Sequence, residues 1–292
     1  MKKILILGAT GMLGSQVFKV ISAEKSLFVC GTARSQTSNY MKFIVGHNSL
    51  RNLLKITKPD YIINCIGVIP QKSTSKSRWG DVFKMFRVNS LFSIQLSNLC
   101  NRTGICLIQI KTDCVFNGKK GPYSENSKKN ARDVYGLTKR LGEKNASNQI
   151  NIRTSIIGKE INSNASLFSW FENTHKNEGI NGYTNHLWNG ITTNAFAKLC
   201  KGIILESDIK NLNTHLIPMD YVSKHELLLQ FKKYLNRNDI ELSSYETAFS
   251  VDRRLESIDQ DRNSALWKIA GYNEVPKIEE LVLEMIKENS QK

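Results

Sequence analysis

Residues 3–14 read KILILGATGMLG, an apolar run that leads directly into a glycine-rich turn and then into a helix-like pattern. The run at 3–7 is typical of a buried β-strand. Gly8 permits a tight turn, Gly11 lets the backbone approach a pyrophosphate, and Gly14 lets the helix pack closely against the strand. We therefore predict a dinucleotide site in which phosphate oxygens meet free N–H groups at the helix start, with an ordinary structural turn as the alternative.

Apolar strand patterns alternate with helical patterns through the first half of the chain. Strands are predicted at residues 3–7, 27–33, 42–45, 61–66, 105–110 and 150–157, and helices at 11–23, 49–57, 81–101 and 133–146. This alternation is typical of a parallel sheet covered on both faces. The sequence thus predicts an α/β fold: a doubly wound parallel (Rossmann) sheet in a dinucleotide-binding domain at 1–160, and a smaller C-terminal α/β substrate lobe at 161–292, partly interleaved with the sheet.

Composition narrows the class of partner. The 292-residue chain carries a formal net charge of +15, but its lysines are spread along the whole length, which argues against nucleic acid as a partner. The charge instead favours phosphate-bearing small molecules. No apolar run approaches the ~20 residues of a membrane helix, so we expect a cytoplasmic protein that does not associate with a membrane. None of the six cysteines forms a CxxC pair, and no metal site is predicted.

The end of the second predicted strand bears on the cofactor. Residues 28–35 read FVCGTARS, without the acidic residue that usually holds the ribose 2′-hydroxyl of NAD. Arg34 and Ser35 are suited to contact a 2′-phosphate instead. The sequence therefore favours NADPH, with NADH as the alternative if Arg34 is an ordinary surface residue.

A YxxxK pattern supplies the candidate catalytic pair. Tyr135 and Lys139 are four residues apart in a predicted helix, so both side chains lie on one face. Reducing a ketone needs a proton for the developing alkoxide, and a nearby ammonium is expected to lower the pKa of a tyrosine from about 10. Thr112 follows the fifth predicted strand, at the sheet edge where ligands bind, and can hydrogen-bond a substrate carbonyl. We predict that Thr112, Tyr135 and Lys139 act together.

These motifs together resemble those of the extended short-chain dehydrogenase/reductases, and within them the dTDP-4-dehydrorhamnose reductase family. The matching stretches are GATGMLG at 8–14, KPDYIINCIG at 58–67, TDCVFNGKKGPYSE at 112–125, DVYGLTKRLGE at 133–143 and IRTSIIG at 152–158. The resemblance implies NAD(P)H-dependent reduction of a 4-keto-6-deoxy sugar on a nucleoside diphosphate. It also implies that Thr112, Tyr135 and Lys139 are the catalytic residues. The cofactor contacts that it implies are Gly11, Met12, Leu13, Cys65, Ile66 and Gly67, besides Gly8, Gly14, Tyr135 and Lys139.

Two departures from the family pattern bear on the sugar. Lys111 stands where the family often has serine, which predicts an extra positive charge beside the site. Ile156 stands where the dTDP-rhamnose enzymes typically have an aromatic residue. The TDCVF, RTSIIG and WNGIT segments resemble more the branch of reductases that convert a UDP-2-acetamido-2,6-dideoxy-L-hexulose to a UDP-N-acetyl-L-rhamnosamine-type product for surface polysaccharides. A dTDP-4-dehydrorhamnose reductase and a non-catalytic NADP-binding regulatory subunit are the alternatives.

Further substrate contacts are expected from the second half of the chain. Beside Thr112 and Asp113, we expect Trp188 to stack on the sugar and Asn189 to hydrogen-bond it. Arg253 is expected to clamp the diphosphate in a bidentate manner. The alternative for these three residues is an ordinary structural or surface role. The expected partner is a nucleotide sugar, and a homodimer is the assembly that we consider.

Overall fold

A seven-stranded parallel sheet forms the centre of the protein, which a computed structural model describes over residues 1–70, 78–161, 163–206 and 209–290. Its strands are β1 (Lys2–Leu7), β2 (Leu27–Ala33), β3 (Tyr40–Lys42), β4 (Tyr61–Asn64), β5 (Cys106–Lys111), β6 (Gln149–Arg153) and β11 (Leu212–His215). They lie in the order β11-β6-β5-β4-β1-β2-β3. The order reverses beside β1, so a crevice opens between the carboxyl ends of β1 and β4, where doubly wound folds bind ligands.

Helices cover both faces of this sheet. They are α1 (Met12–Ser22), α2 (Leu50–Thr57), α3 (Arg78–Met85), α4 (Ser93–Thr103), α5 (Val134–Leu141), α7 (Thr193–Glu206) and α9 (Gln260–Ile269). Successive residues of β1 bury opposite faces: Ile4 and Ile6 pack with α1 and α7, and Leu5 and Leu7 pack with α2 and α4. Strands with both faces buried explain the near-continuous apolar runs of the sequence.

The predicted helix at 81–101 is interrupted by a π-helical segment, Phe86–Phe92, between α3 and α4. The Asn89 carbonyl in this segment lies directly against Gly142, where a Cβ would have no room. The predicted strand at 150–157 also divides: β7 (Ile156–Ile157) pairs with β10 (Ile191–Thr192) rather than with the sheet. The sheet strand ends at Arg153 because the chain then turns away towards the second half.

The second half of the chain packs partly around its own core and partly against the sheet. Its remaining elements are α6 (Leu167–Glu172), β8 (Gly179–Tyr183), β9 (His186–Trp188), β12 (Val222–Ser223), α8 (Lys224–Tyr234), β13 (Glu241–Tyr245), β14 (Val251–Asp252) and α10 (Ile278–Ser290). Phe168, Phe171 and Phe231 are fully buried in the separate core. β12, β9 and β14 form a small sheet beside the loop that follows β5. Among the described helices, none has the length and apolar character needed to cross a membrane.

Candidate active site

The turn between β1 and α1 is built from close backbone contacts. Gly8 has a positive φ of 79°, and its N–H donates to the Thr32 hydroxyl over 3.1 Å. A Cβ at Gly14 would lie 2.8 Å from the Gly8 carbonyl carbon and 3.1 Å from the Ala9 Cα, so only glycine fits there. Met12 and Leu13 are the first residues of α1, where N–H groups have no intrahelical acceptor. The turn therefore presents N–H donors at the sheet edge.

The residues after β4 lie against this turn and against α5. A Cβ on Gly8 would lie 3.0 Å from the Ile66 side chain and 3.4 Å from the Cys65 backbone. A Cβ on Gly67 would lie 3.2 Å from the Lys139 Nζ, so a side chain at this position would crowd the ammonium. The bare backbone at these positions fits the close approach of a dinucleotide. At the end of β2, Arg34 and Ser35 are exposed, as contact with a 2′-phosphate requires.

Thr112, Tyr135 and Lys139 come together beside the crevice. Thr112 precedes a short 3₁₀ turn, Asp113–Val115, and its Oγ1 accepts the Cys114 N–H over 3.1 Å. The Thr112 hydroxyl donates to the Asp113 Oδ1 over 3.1 Å, and the Thr112 side chain lies close enough to Tyr135 to act on its ionisation. The Lys139 Nζ lies 6.0 Å from the centroid of the Tyr135 ring, one turn along α5. Asp133 caps this helix by accepting the Gly136 N–H over 2.9 Å, which holds its first turn in place.

The pKa of Tyr135 differs from the value expected from the sequence, which predicted that Lys139 lowers it. Burial raises the pKa of Tyr135, the neighbouring Cys114 and Asp113 raise it further, and the Thr112 side chain opposes them. The predicted lowering of the Tyr135 pKa by Lys139 is wrong, because burial dominates and the ammonium lies 6.0 Å from the ring centroid. Burial also lowers the pKa of Lys139. Tyr135 therefore holds its proton at neutral pH, which is the state that a proton donor needs.

Two polar residues outside the predicted set hold the site in position. In the π-helical segment, Asn89 accepts the Val68 N–H over 3.0 Å and donates to the Val68 carbonyl over 2.9 Å. Arg153 at the end of β6 donates to the Thr112 carbonyl over 2.6 Å and pairs with Glu143 over 2.8 Å. Burial alone would raise the pKa of Glu143, but Arg153 holds it below its ordinary value. A buried asparagine within an apolar helix pattern was the one sequence signal for Asn89.

Lys111 does not add charge beside Thr112, so that prediction is wrong. Its side chain is 6% exposed, and its ammonium donates to the Lys144 carbonyl over 3.3 Å and to the Asn145 Oδ1 over 3.1 Å. Successive residues of an extended strand point to opposite sides, which directs Lys111 beyond the end of α5. Burial lowers the pKa of Lys111 to about 8.

The three residues of the second half that were predicted to contact the substrate make hydrogen bonds to other residues of the protein. Trp188 is 5% exposed, and its indole N–H donates to the Ser155 hydroxyl over 2.9 Å. Asn189 donates to the Leu255 carbonyl over 2.7 Å and accepts the Leu255 N–H over 2.9 Å, so both ends of its amide are used. The Arg253 Nε donates to the Phe116 carbonyl over 3.1 Å. Of the three, Arg253 retains further N–H donors for a ligand.

Known proteins are similar to this chain in sequence and in fold. Residues 1–168 match the model of a family described as the RmlD substrate binding domain. The chain belongs to this family. Methionine adenosyltransferase 2 subunit beta of Xenopus tropicalis is 31% identical over 146 residues, which are 49% of this chain and 42% of that protein. The dTDP-4-dehydrorhamnose reductase of Streptomyces griseus is 28% identical over 141 residues, 48% of this chain and 43% of that protein.

The matched part of the RmlD-family chain therefore spans less than half the length of either relative. The fold, in contrast, matches over its full extent. The crystal structure of a dTDP-4-dehydrorhamnose reductase from Bacillus anthracis, in complex with NADP, superposes with a TM-score of 0.77, covering 99% of both chains at 17% identity. The predicted doubly wound Rossmann fold is confirmed.

Proposed function

We propose that the protein is an NADPH-dependent reductase of a nucleotide-linked 4-keto-6-deoxy sugar. The observation that carries this proposal is that Thr112, Tyr135 and Lys139 lie together beside the crevice, where the Thr112 side chain acts on the ionisation of the Tyr135 hydroxyl. A ketone reductase needs a protonated donor and an orienting group at one carbonyl. The threonine and tyrosine supply both.

The residues around the crevice are suited to hold NADPH. The N–H groups at the start of α1 would meet the pyrophosphate, and the exposed Arg34 and Ser35 would meet a 2′-phosphate. Lys139, which adjoins the bare backbone of Gly67, would bind the ribose hydroxyls. When bound, NADPH supplies the hydride. NADH remains the alternative, since it carries no 2′-phosphate and would not need the contact with Arg34 and Ser35.

The protein groups would act on the substrate carbonyl. Thr112 would orient the C4 oxygen, and Tyr135 would donate its proton to that oxygen as negative charge develops. The Arg153 guanidinium keeps the Thr112 backbone in place through the 2.6 Å hydrogen bond to its carbonyl. Lys139 would stabilise the phenolate that remains, because an opposite charge favours the ionised form.

For the sugar, we propose a UDP-2-acetamido-2,6-dideoxy-L-hexulose, reduced to a UDP-N-acetyl-L-rhamnosamine-type product. The support is Ile156, a partly exposed residue of β7 whose side chain is smaller than the aromatic residue typical of the dTDP-rhamnose enzymes. The alternative substrate is dTDP-4-dehydrorhamnose, because the Streptomyces griseus relative is named as a dTDP-4-dehydrorhamnose reductase.

A regulatory subunit is the second candidate function. The observation that favours it is the 31% identical Xenopus tropicalis relative, which is named as a subunit of methionine adenosyltransferase. A regulatory role would require dinucleotide binding but no proton transfer from Tyr135. The two candidates therefore differ in what they require of one hydroxyl.

Oxidation of NADPH with each of the two 4-keto sugars, offered separately, tests the proposal. We expect turnover with the UDP sugar, and a loss of about 10²- to 10⁴-fold in Tyr135→Phe with NADP⁺ binding retained. Tyr245→Phe, which removes a hydroxyl from a half-exposed tyrosine of β13, is the matched control. NADPH binding without turnover of either sugar would favour the regulatory subunit.

The assembly and location also belong to this proposal. We propose a cytoplasmic homodimer. Trp79 and Phe83, four residues apart on α3, are 81% and 62% exposed and offer apolar surface for a second copy. Sedimentation velocity of the wild type and of the Trp79→Ser, Phe83→Ser double variant tests the dimer. A wild type that sediments as a monomer would contradict it.

A further inference from the structure

Lys224 opens α8 in the second half of the chain and lies near the loop that follows β5. It directly follows β12, and its Nζ lies 5.3 Å from the centroid of the Trp188 ring. Its ammonium interacts electrostatically with Asp113 and Cys114, the two residues after Thr112. Ser223 and Glu226 form a capping box that fixes the first turn of α8, and with it the position of Lys224.

The Lys224 ammonium lacks a partner that would offset its burial. Within the described ranges, no hydrogen bond or ion pair joins its Nζ to another residue, and the face of Trp188 is a weak substitute. Burial lowers the pKa of Lys224 to about 8, although the Asp113 carboxylate opposes this. A partly desolvated cation of this kind is stabilised most by an anion.

Arg253 brings a second cation to the same place. It follows β14, which flanks β9 on the side opposite β12, and it lowers the pKa of Lys224 through its charge. Its neighbour Arg254 is neutralised by an ion pair with Asp252 over 2.8 Å. In the described part of the chain, Arg253 has no such ion pair, and only its Nε is bonded, to the Phe116 carbonyl. Two cations on one small sheet thus converge beside the catalytic loop.

We propose that Lys224 and Arg253 together bind the diphosphate of the nucleotide sugar, with Lys224 as a substrate-binding residue. The inference rests on the proposed function of this site. A diphosphate supplies the negative charge that these cations lack, whereas a sugar hydroxyl supplies none. The Asp113 carboxylate, which acts on Lys224, carries one negative charge against the two positive charges.

Calorimetric titration with UDP and with dTDP, neither of which carries a sugar, tests the diphosphate contact directly. In Lys224→Met, we expect the affinity for the nucleoside diphosphate that the wild type binds to fall about 10- to 100-fold. Affinity for NADP⁺ should not change, which also reports that the variant is folded. Lys268→Met, on the exposed face of α9, removes the same charge away from the site and should bind as the wild type does.

The dependence on pH separates this role from a structural one. The groups that face Lys224 are Asp113, Cys114, Arg253 and His186. Because only protonated Lys224 attracts a diphosphate, wild-type affinity should weaken between about pH 7 and pH 9, whereas Lys224→Arg should remain constant over that window. Lys224→Met should be weak throughout.

Three results would count against the inference in different ways. Unchanged UDP and dTDP affinity in Lys224→Met would overturn it. A loss confined to the complete sugar nucleotide, with nucleoside diphosphate binding retained, would place the contact on the sugar and also overturn it. If the wild type binds neither UDP, dTDP nor the sugar nucleotides, the proposed function itself fails.

Discussion

Replacing Gly14 by alanine should move the start of α1 away from the turn that binds the dinucleotide. The new Cβ would lie 2.8 Å from the Gly8 carbonyl carbon and 3.1 Å from the Ala9 Cα, and closer still to the Gly8 carbonyl oxygen. Non-bonded carbon atoms prefer about 3.5–4.0 Å, so the two segments must separate by roughly 1 Å. All of these atoms belong to the backbone, and no side-chain rotation relieves the contact.

Two opposing effects set the size of the stability change. Overpacking of this kind costs about 1–3 kcal/mol, while alanine gains about 1 kcal/mol over glycine within a helix. We therefore expect the free energy of unfolding to fall by about 0–2 kcal/mol, which lowers the Tm by a few degrees at about 2–4 °C per kcal/mol. The effect on binding should be larger, because hydrogen bonds to a charged phosphate are worth about 1.5–3 kcal/mol each.

Calorimetric titration with NADP⁺, alongside thermal unfolding, checks this prediction. The dissociation constant of Gly14→Ala should rise about 10- to 100-fold. Gly179→Ala is the matched control, because no atom lies within 4 Å of a Cβ at that position in β8. If Gly14→Ala binds NADP⁺ as tightly as the wild type, the reasoning about close backbone approach is refuted.

Two further variants test the supporting contacts. Lys111→Met should leave the Lys144 carbonyl bonded to Gln149 and Asn151. Because the pKa of Lys111 is about 8 in the folded protein and about 10.4 in the unfolded chain, the stability of the wild type should rise with pH across this window. Urea unfolding should show that this rise disappears in the variant. An unchanged pH profile would contradict this. Asn189→Ala should lower the free energy of unfolding by about 1–3 kcal/mol, because the variant loses both hydrogen bonds to the Leu255 backbone. A variant that keeps wild-type stability but binds the substrate more weakly would instead assign Asn189 to the sugar.

Local patterns predicted much of the fold and the central residues of the proposed site. The apolar run and glycines at 3–14 predicted a strand, a turn and a helix, because those features depend on neighbouring residues alone. Tyr135 and Lys139 were found because helical periodicity places them on one face. Thr112 was found because it ends a strand, and parallel strands end at one edge of a sheet.

Contacts between distant segments could not be predicted in this way. Lys111 and Thr112 are adjacent in sequence, yet packing directs the Lys111 side chain beyond the end of α5 and the Thr112 side chain towards Tyr135. Asn89 and Arg153 position the site from elements that no local motif connects to it. Lys224 is one lysine among many in the sequence.

The sequence by itself determined the doubly wound sheet, the dinucleotide turn and the YxxxK pair, since periodicity and glycine stereochemistry act over a few residues. Only the tertiary structure decided which charges are paired and which converge without an ion pair, because burial and pairing depend on segments far apart along the chain. Among the many cations of the chain, Arg254 forms an ion pair with Asp252. Lys224, in contrast, lies near both Asp113 and the second cation Arg253. The pKa of Tyr135 is raised for the same reason: desolvation is a property of the folded protein, not of the motif.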